Sequence, residues 1–106
     1  MELFHVRPAR GGAVGIDLRA VLVELGRREI LSVMLEAGPI LNGAALTAGV
    51  VHKLVLFYAP KIAGGGAVPF AKAPSLAAAA LGNLGIRQIG PDVVVEGYLQ
   101  NVYRDR

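Results

Sequence analysis

The residues best suited to chemistry stand together in one short turn. Glu36 supplies a carboxylate, Gly38 a position without a side chain, and Pro39 a natural first residue for a helix. A helix that begins here presents main-chain N–H groups with no intrahelical acceptor, and its dipole adds partial positive charge. Such a terminus attracts phosphate, each favourable charge contributing roughly 0.3–1 kcal/mol where exposed. Glu36 would stand at the lip of the same crevice, placed to accept hydrogen bonds from a polar substrate. The same residues equally make a tight strand-to-helix turn with a solvated glutamate, since strand–glycine–helix turns occur throughout α/β folds. Spacing alone does not choose between the two.

Two elements must hold that turn in place. Before it runs Ile30-Leu31-Ser32-Val33-Met34-Leu35, with five of six residues apolar and no alternation. That is the pattern of a strand buried on both faces in the middle of a sheet. After it the sequence predicts a helix over Pro39–Ala48 closed by Gly49. Leu41, Ala44, Ala45 and Ala48 give this helix a small-residue face for close packing on a sheet, and Asn42 and Gly43 fall in its first turn.

Here the sequence resembles a known family. Leu35-Glu36-Ala37-Gly38-Pro39, Leu41-Asn42-Gly43-Ala44 and Leu54-Val55-Leu56-Phe57-Tyr58-Ala59-Pro60-Lys61 are similar to the reductase domain of the bifunctional riboflavin-biosynthesis deaminase/reductase. The likeness also takes in Asp17 to Leu25, Gly64-Gly65-Gly66 and Gly90 to Tyr98. It implies a dihydrofolate-reductase-like α/β fold, a mixed sheet with flanking helices. It implies NADPH-dependent reduction of 5-amino-6-(5-phosphoribosylamino)uracil to its ribitylamino product, with hydride passing to the ribose C1′. By the same resemblance Glu36 contacts substrate, and Gly38, Pro39, Ile40, Leu41, Asn42, Gly43 and Ala44 contact the NADPH cofactor. No catalytic side chain is assigned. None is needed where the cofactor carries the chemistry and the protein positions it. The match corresponds to the carboxyl half of such a domain, residues 17–106, with residues 1–16 an irregular N-terminal segment. A catalytically incomplete, dimerising or nucleotide-binding module derived from such a reductase is the alternative.

Composition bounds the rest. At 106 residues the chain is one small domain at most. It is 54% hydrophobic and only 18% charged, apolar for a size whose surface demands polar cover. Such a chain should hide surface against a partner: a second copy, or a separate first half of a larger fold. Uncharged runs are too short and too broken by Gly, Pro or Asn to span a membrane. The net charge is +3, but no basic run exceeds Arg27-Arg28 and no nucleic-acid motif accompanies it. The absence of cysteine excludes disulfides, thiolate catalysis, cysteine-ligated zinc and the zinc-deaminase half of the bifunctional enzyme. His5 and His52 are isolated, so no metal site is expected. Met1 to Gly12 lacks the apolar segment of a signal peptide, and a cytoplasmic location is the default.

The remaining elements follow from local pattern. Asp17 to Arg28 reads as a helix: Asp17 is an N-cap, and Leu18, Val21, Leu22 and Leu25 form one apolar stripe. Arg19, Glu24 and Arg28 fall away from that stripe, and Arg27 and Arg28 suit the dipole's negative end. His52 to Pro60 reads as a strand and Lys61 to Pro74 as a glycine-rich loop. That loop lacks the lysine–hydroxyl pair of a P-loop, although Lys61 and Lys72 have the length to reach a phosphate. Ser75 to Leu81 suits a short Ala-rich turn of helix. Leu84–Ile89 and Val93–Tyr103 suit a hairpin across Gly90-Pro91-Asp92. Before Asp17, Pro8 and Gly11-Gly12 suggest loop, while Leu3, Phe4 and Val6 suit a short strand.

Overall fold

The computed structural model describes residues 3–8 and 15–99. Along them run α1 (Leu18–Arg27), α2 (Pro39–Ala48), β1 (Lys53–Tyr58), β2 (Leu81–Ile89) and β3 (Asp92–Leu99). The result is a small α/β arrangement of two helices and one three-stranded sheet in the order β1-β3-β2.

α1 starts where Asp17 caps it. The Asp17 carboxylate accepts from the Ala20 amide at 3.1 Å, satisfying one N–H that the helix cannot. The apolar stripe Leu18, Val21, Leu22 and Leu25 lies half-buried, and no residue of the helix is fully enclosed. At the other end Glu24 takes both arginines, Arg27 at 3.3 Å and Arg28 at 3.2 Å. The basic pair is thus a helix-end feature. The segment before α1 is tied down by Arg7, which meets the Asp17 carboxylate at 2.6 Å, and by an isolated bridge between Pro8 and Ile16. No strand forms over Leu3, Phe4 and Val6, and Gly11-Gly12 lies outside the described residues.

α2 matches its sequence boundaries. Gly38 is the N-cap with extended backbone, Pro39 is the first helical residue, and Gly49 closes the helix in the left-handed region at φ 70°. Its amide donates to Leu46, and Val50 donates to Ala45, which satisfies carbonyls the helix leaves open. The buried positions are Gly43 and Ala45, whereas Leu41 and Ala44 are exposed. Of the expected close-packing face, Ala45 is buried and Ala48 half-buried, and Gly43 takes the place of Leu41 and Ala44.

The largest correction concerns Ile30–Leu35. It is not a strand. Residues 30–38 have no regular structure, Leu31 is 99% exposed and Met34 is 81% exposed. A strand buried on both faces needs a hydrogen-bonding neighbour on each edge. Among the described residues the three strands pair only with one another. Without Ile30–Leu35 the sheet is wholly antiparallel rather than mixed.

The central strand is β3. Its register sets Lys53 opposite Tyr98 and Tyr58 opposite Val93 on one side, and Leu81 opposite Leu99 and Ile89 opposite Asp92 on the other. Val94 at its middle is 0% exposed, and Gly97 is buried against Leu81 and Leu84. The β2–β3 loop is Gly90-Pro91, with Gly90 at φ 57°, as a two-residue hairpin loop with glycine at its first position requires. Between Gly82 and Gly85 the register shifts, and Asn83 absorbs the bulge at φ 52°. Ser75 to Leu81 is not helical: a turn at Pro74 and Ser75 leads into extended chain and then β2. A single turn of alanines with no face to bury cannot repay its nucleation. The part of the expected last strand beyond Leu99 lies outside the described residues.

Candidate functional site

The N-terminus of α2 is the feature from which a site can be built. Asn42 donates its amide to Gly38 at 3.1 Å, the first intrahelical bond. Pro39 has no N–H, so the amides of Ile40 and Leu41 are the two helix-start donors without an intrahelical acceptor. Gly38 offers no side-chain cap, and a Cβ built on it would meet nothing within 4 Å. The main chain at Gly38 is thus uncovered. Glu36, in the extended segment just before, is exposed. Ile40, Leu41 and Ala44 are exposed on the helix.

Asn42 and Gly43 look the other way. The Asn42 carboxamide donates to the Ala37 carbonyl at 2.9 Å and to the Phe70 carbonyl at 2.7 Å. Gly43 packs so tightly on the loop that a Cβ there would lie 1.8 Å from the Lys72 carbonyl oxygen. The Lys72 amide donates to the Pro39 carbonyl at 2.8 Å. The glycine-rich loop is therefore fastened across the first turn of α2 by its Phe70–Lys72 end. Lys72 is exposed beside that turn. Lys61 sits at the loop's other end, just after β1. The Gly64-Gly65-Gly66 stretch turns a corner, with Ala67 donating to Gly64 at 3.3 Å.

Two shallow hollows lie beside α1, one lined by Phe4, Leu25, Arg28 and Ile30, the other by residues that include His5, Arg7, Glu24 and Arg27. Neither includes Glu36 or any residue of α2. Among the described residues no group of His, Asp and Glu could hold a metal ion, and no helix is long and apolar enough to cross a membrane. The Arg7 guanidinium bonded to Asp17 holds its carboxyl below the ordinary pKa, helped by the Ala20 amide. It belongs to the start of α1 and not to the α2 turn.

Residues 2–95 match the RibD C-terminal domain family. The chain belongs to that family. It is 39% identical over 82 residues to the Escherichia coli riboflavin biosynthesis protein RibD, covering 74% of this chain and 22% of that protein. It is 40% identical over 94 residues to the RibD of Synechocystis, covering 76% of this chain and 23% of the other. It is 35% identical over 101 residues to the Arabidopsis thaliana chloroplastic riboflavin biosynthesis protein PYRR, covering 82% of this chain and 15% of the other. The chain thus spans only about a fifth of the length of these curated relatives. The RibD-family match takes in the segment before α1, both helices, β1, β2 and the first half of β3.

Three structural roles escaped sequence reading. Arg19, read only as lying off the apolar stripe of α1, donates to the Ala48 carbonyl at the C-terminus of α2. Asn42 and Gly43, read as facing a ligand, are engaged with the loop. A signal did exist: glycine inside a helix marks close backbone approach, and asparagine in a helix prefers to bond carbonyls nearby. The partner of each was not readable, because Phe70 and Lys72 lie about thirty residues away in sequence.

Proposed function

We propose that this chain is part of an NADPH-dependent pyrimidine reductase of riboflavin biosynthesis. Its reaction is reduction of 5-amino-6-(5-phosphoribosylamino)uracil to the ribitylamino product, in a dihydrofolate-reductase-like domain working in the cytoplasm. The observation that carries the reading is the RibD C-terminal family match over residues 2–95, which includes the Glu36–Ala44 turn. Two helix-start amides without an intrahelical acceptor, beside a Gly38 that carries no side chain, support a phosphate against the main chain.

When bound, NADPH supplies the hydride. The chain's own contribution is positioning. Ile40 and Leu41 hold phosphate through their amides. Gly38 admits it, Pro39 presets the first turn and Ala44 adds to the surface around it, while Asn42 and Gly43 hold the loop against that turn. Glu36 accepts hydrogen bonds from the substrate's polar groups and so fixes the ribose relative to the cofactor.

The exposure of Ile30–Leu35 favours a second element of the proposal: the active form is completed by a partner, a second copy or a separate first half of the domain. Should the partner be lacking, the chain is a catalytically incomplete dimerising or nucleotide-binding module. The test is NADPH oxidation with the ribosylaminopyrimidine, in the chain alone and in the complete reductase. Glu36→Gln in the complete enzyme should lower kcat/KM at least about tenfold, the equivalent of about 1.4 kcal/mol. Unchanged kcat/KM in that variant would remove Glu36 from the substrate site.

A further inference from the structure

The glycine-rich loop raises a question of what fixes its position. Residues 61–70 are all exposed, and Gly64 sits at φ 80°. Such a segment has little of its own to hold it. Yet its far end is joined to the first turn of α2 by two hydrogen bonds, Asn42 to Phe70 and Lys72 to Pro39, and by the close packing of Gly43 on the Lys72 carbonyl.

We infer that Asn42 is a positioning residue that straps the glycine-rich loop to the start of α2, and that it acts on any ligand at this helix start through the loop rather than by touching it. The chemistry is specific. A carboxamide NH2 has two donors, and here each faces a main-chain carbonyl, Ala37 before the helix and Phe70 in the loop. The one side chain ties three segments of chain: the approach to α2, α2 itself and the loop. An aspartate of the same shape offers only acceptors and turns negative charge on two carbonyls. A glutamine keeps both donors on a longer stem.

The effect on ligand affinity rests on the cofactor reading above; the strap itself is tested without nucleotide. In the unliganded protein, NMR exchange of the Asn42 side-chain amide protons should be about tenfold slower than that of exposed Asn83. This measurement needs no variant. Equal rates at the two positions would overturn the proposal. In Asn42→Asp the Lys72 amide should exchange about tenfold faster while α1 amides keep their rates, and Asn42→Gln should recover part of the protection. Identical Lys72 exchange in wild type and Asn42→Asp, or equal loss in Asp and Gln variants, also overturns it. NADPH titration forms a separate arm. Weaker binding in Asn42→Asp with the loop released supports the positioning role, and weaker binding with the loop still protected assigns Asn42 to direct contact. If wild type binds no NADPH, the cofactor reading falls while the exchange arm still decides the strap.

Discussion

At the scale of single residues, small groups decide more than charged ones. Gly43 is the sharpest case, because the missing Cβ is what lets the Lys72 carbonyl approach. Gly43→Ala should force the loop off or bend the first turn of α2, costing about 1–3 kcal/mol, read as a lower urea midpoint. Asp17 has a different signature. Its pKa is depressed in the folded state, first by Arg7 and then by the Ala20 amide. Its stabilisation is present above the ordinary carboxylate value of 3.8 and is lost as pH falls through the lower folded value. Urea unfolding followed down to acid pH should show that loss in wild type and a flatter profile in Asp17→Ala. Equal slopes for the two proteins would remove Asp17 from the acid response.

At the scale of elements, Asp17 caps the start of α1, Pro39 and Gly49 set the ends of α2, and Arg19 links the two helices. Arg19 places its guanidinium on the last carbonyl of α2, where cation and helix dipole attract. Arg19→Ala should therefore cost about 0.3–1 kcal/mol, with helical signal retained and α1 loosened from α2 in hydrogen exchange. The elements were legible where their determinants are neighbours in sequence. Asp17, Pro39, Gly49 and the Gly90-Pro91 loop each did what a short-range rule requires. Ile30–Leu35 was misread for the converse reason. Its apolar run fits a strand with neighbours on both edges, and strand pairing is a property of what lies alongside. Much of the candidate site was equally legible: the capping glycine, the first-turn proline and the free amides follow from sequence. The strap across them did not, since it joins α2 to a loop some thirty residues on.

At the scale of the whole molecule, the surface is the telling quantity. The chain exposes 8606 Å², whereas a folded protein of 11.1 kDa exposes roughly 5,700 Å². Large apolar side chains stand exposed on it: Ile30, Leu31, Val33, Met34 and Leu35 along one segment, and Phe57 and Ile86 on the strands. A partner that pairs with the extended segment would cover both its backbone and its side chains. Leu31→Asp separates the two roles. Because Leu31 is 99% exposed, the stability of the lone chain should stay within about 0.5 kcal/mol. Sedimentation with the complementing half, or of the chain at high concentration, should show association weakened by the buried charge. Association at wild-type strength would place the partner elsewhere.

The sequence by itself determined the caps, the two helices, the β2–β3 hairpin and the family to which the chain belongs, because these rest on residue types at short spacing. Only the tertiary structure decided that β3 is the central strand, that Ile30–Leu35 stands unpaired, and that Asn42 and Gly43 hold a loop. Each of those depends on which distant segment lies within hydrogen-bonding reach, and local propensity carries no record of that distance.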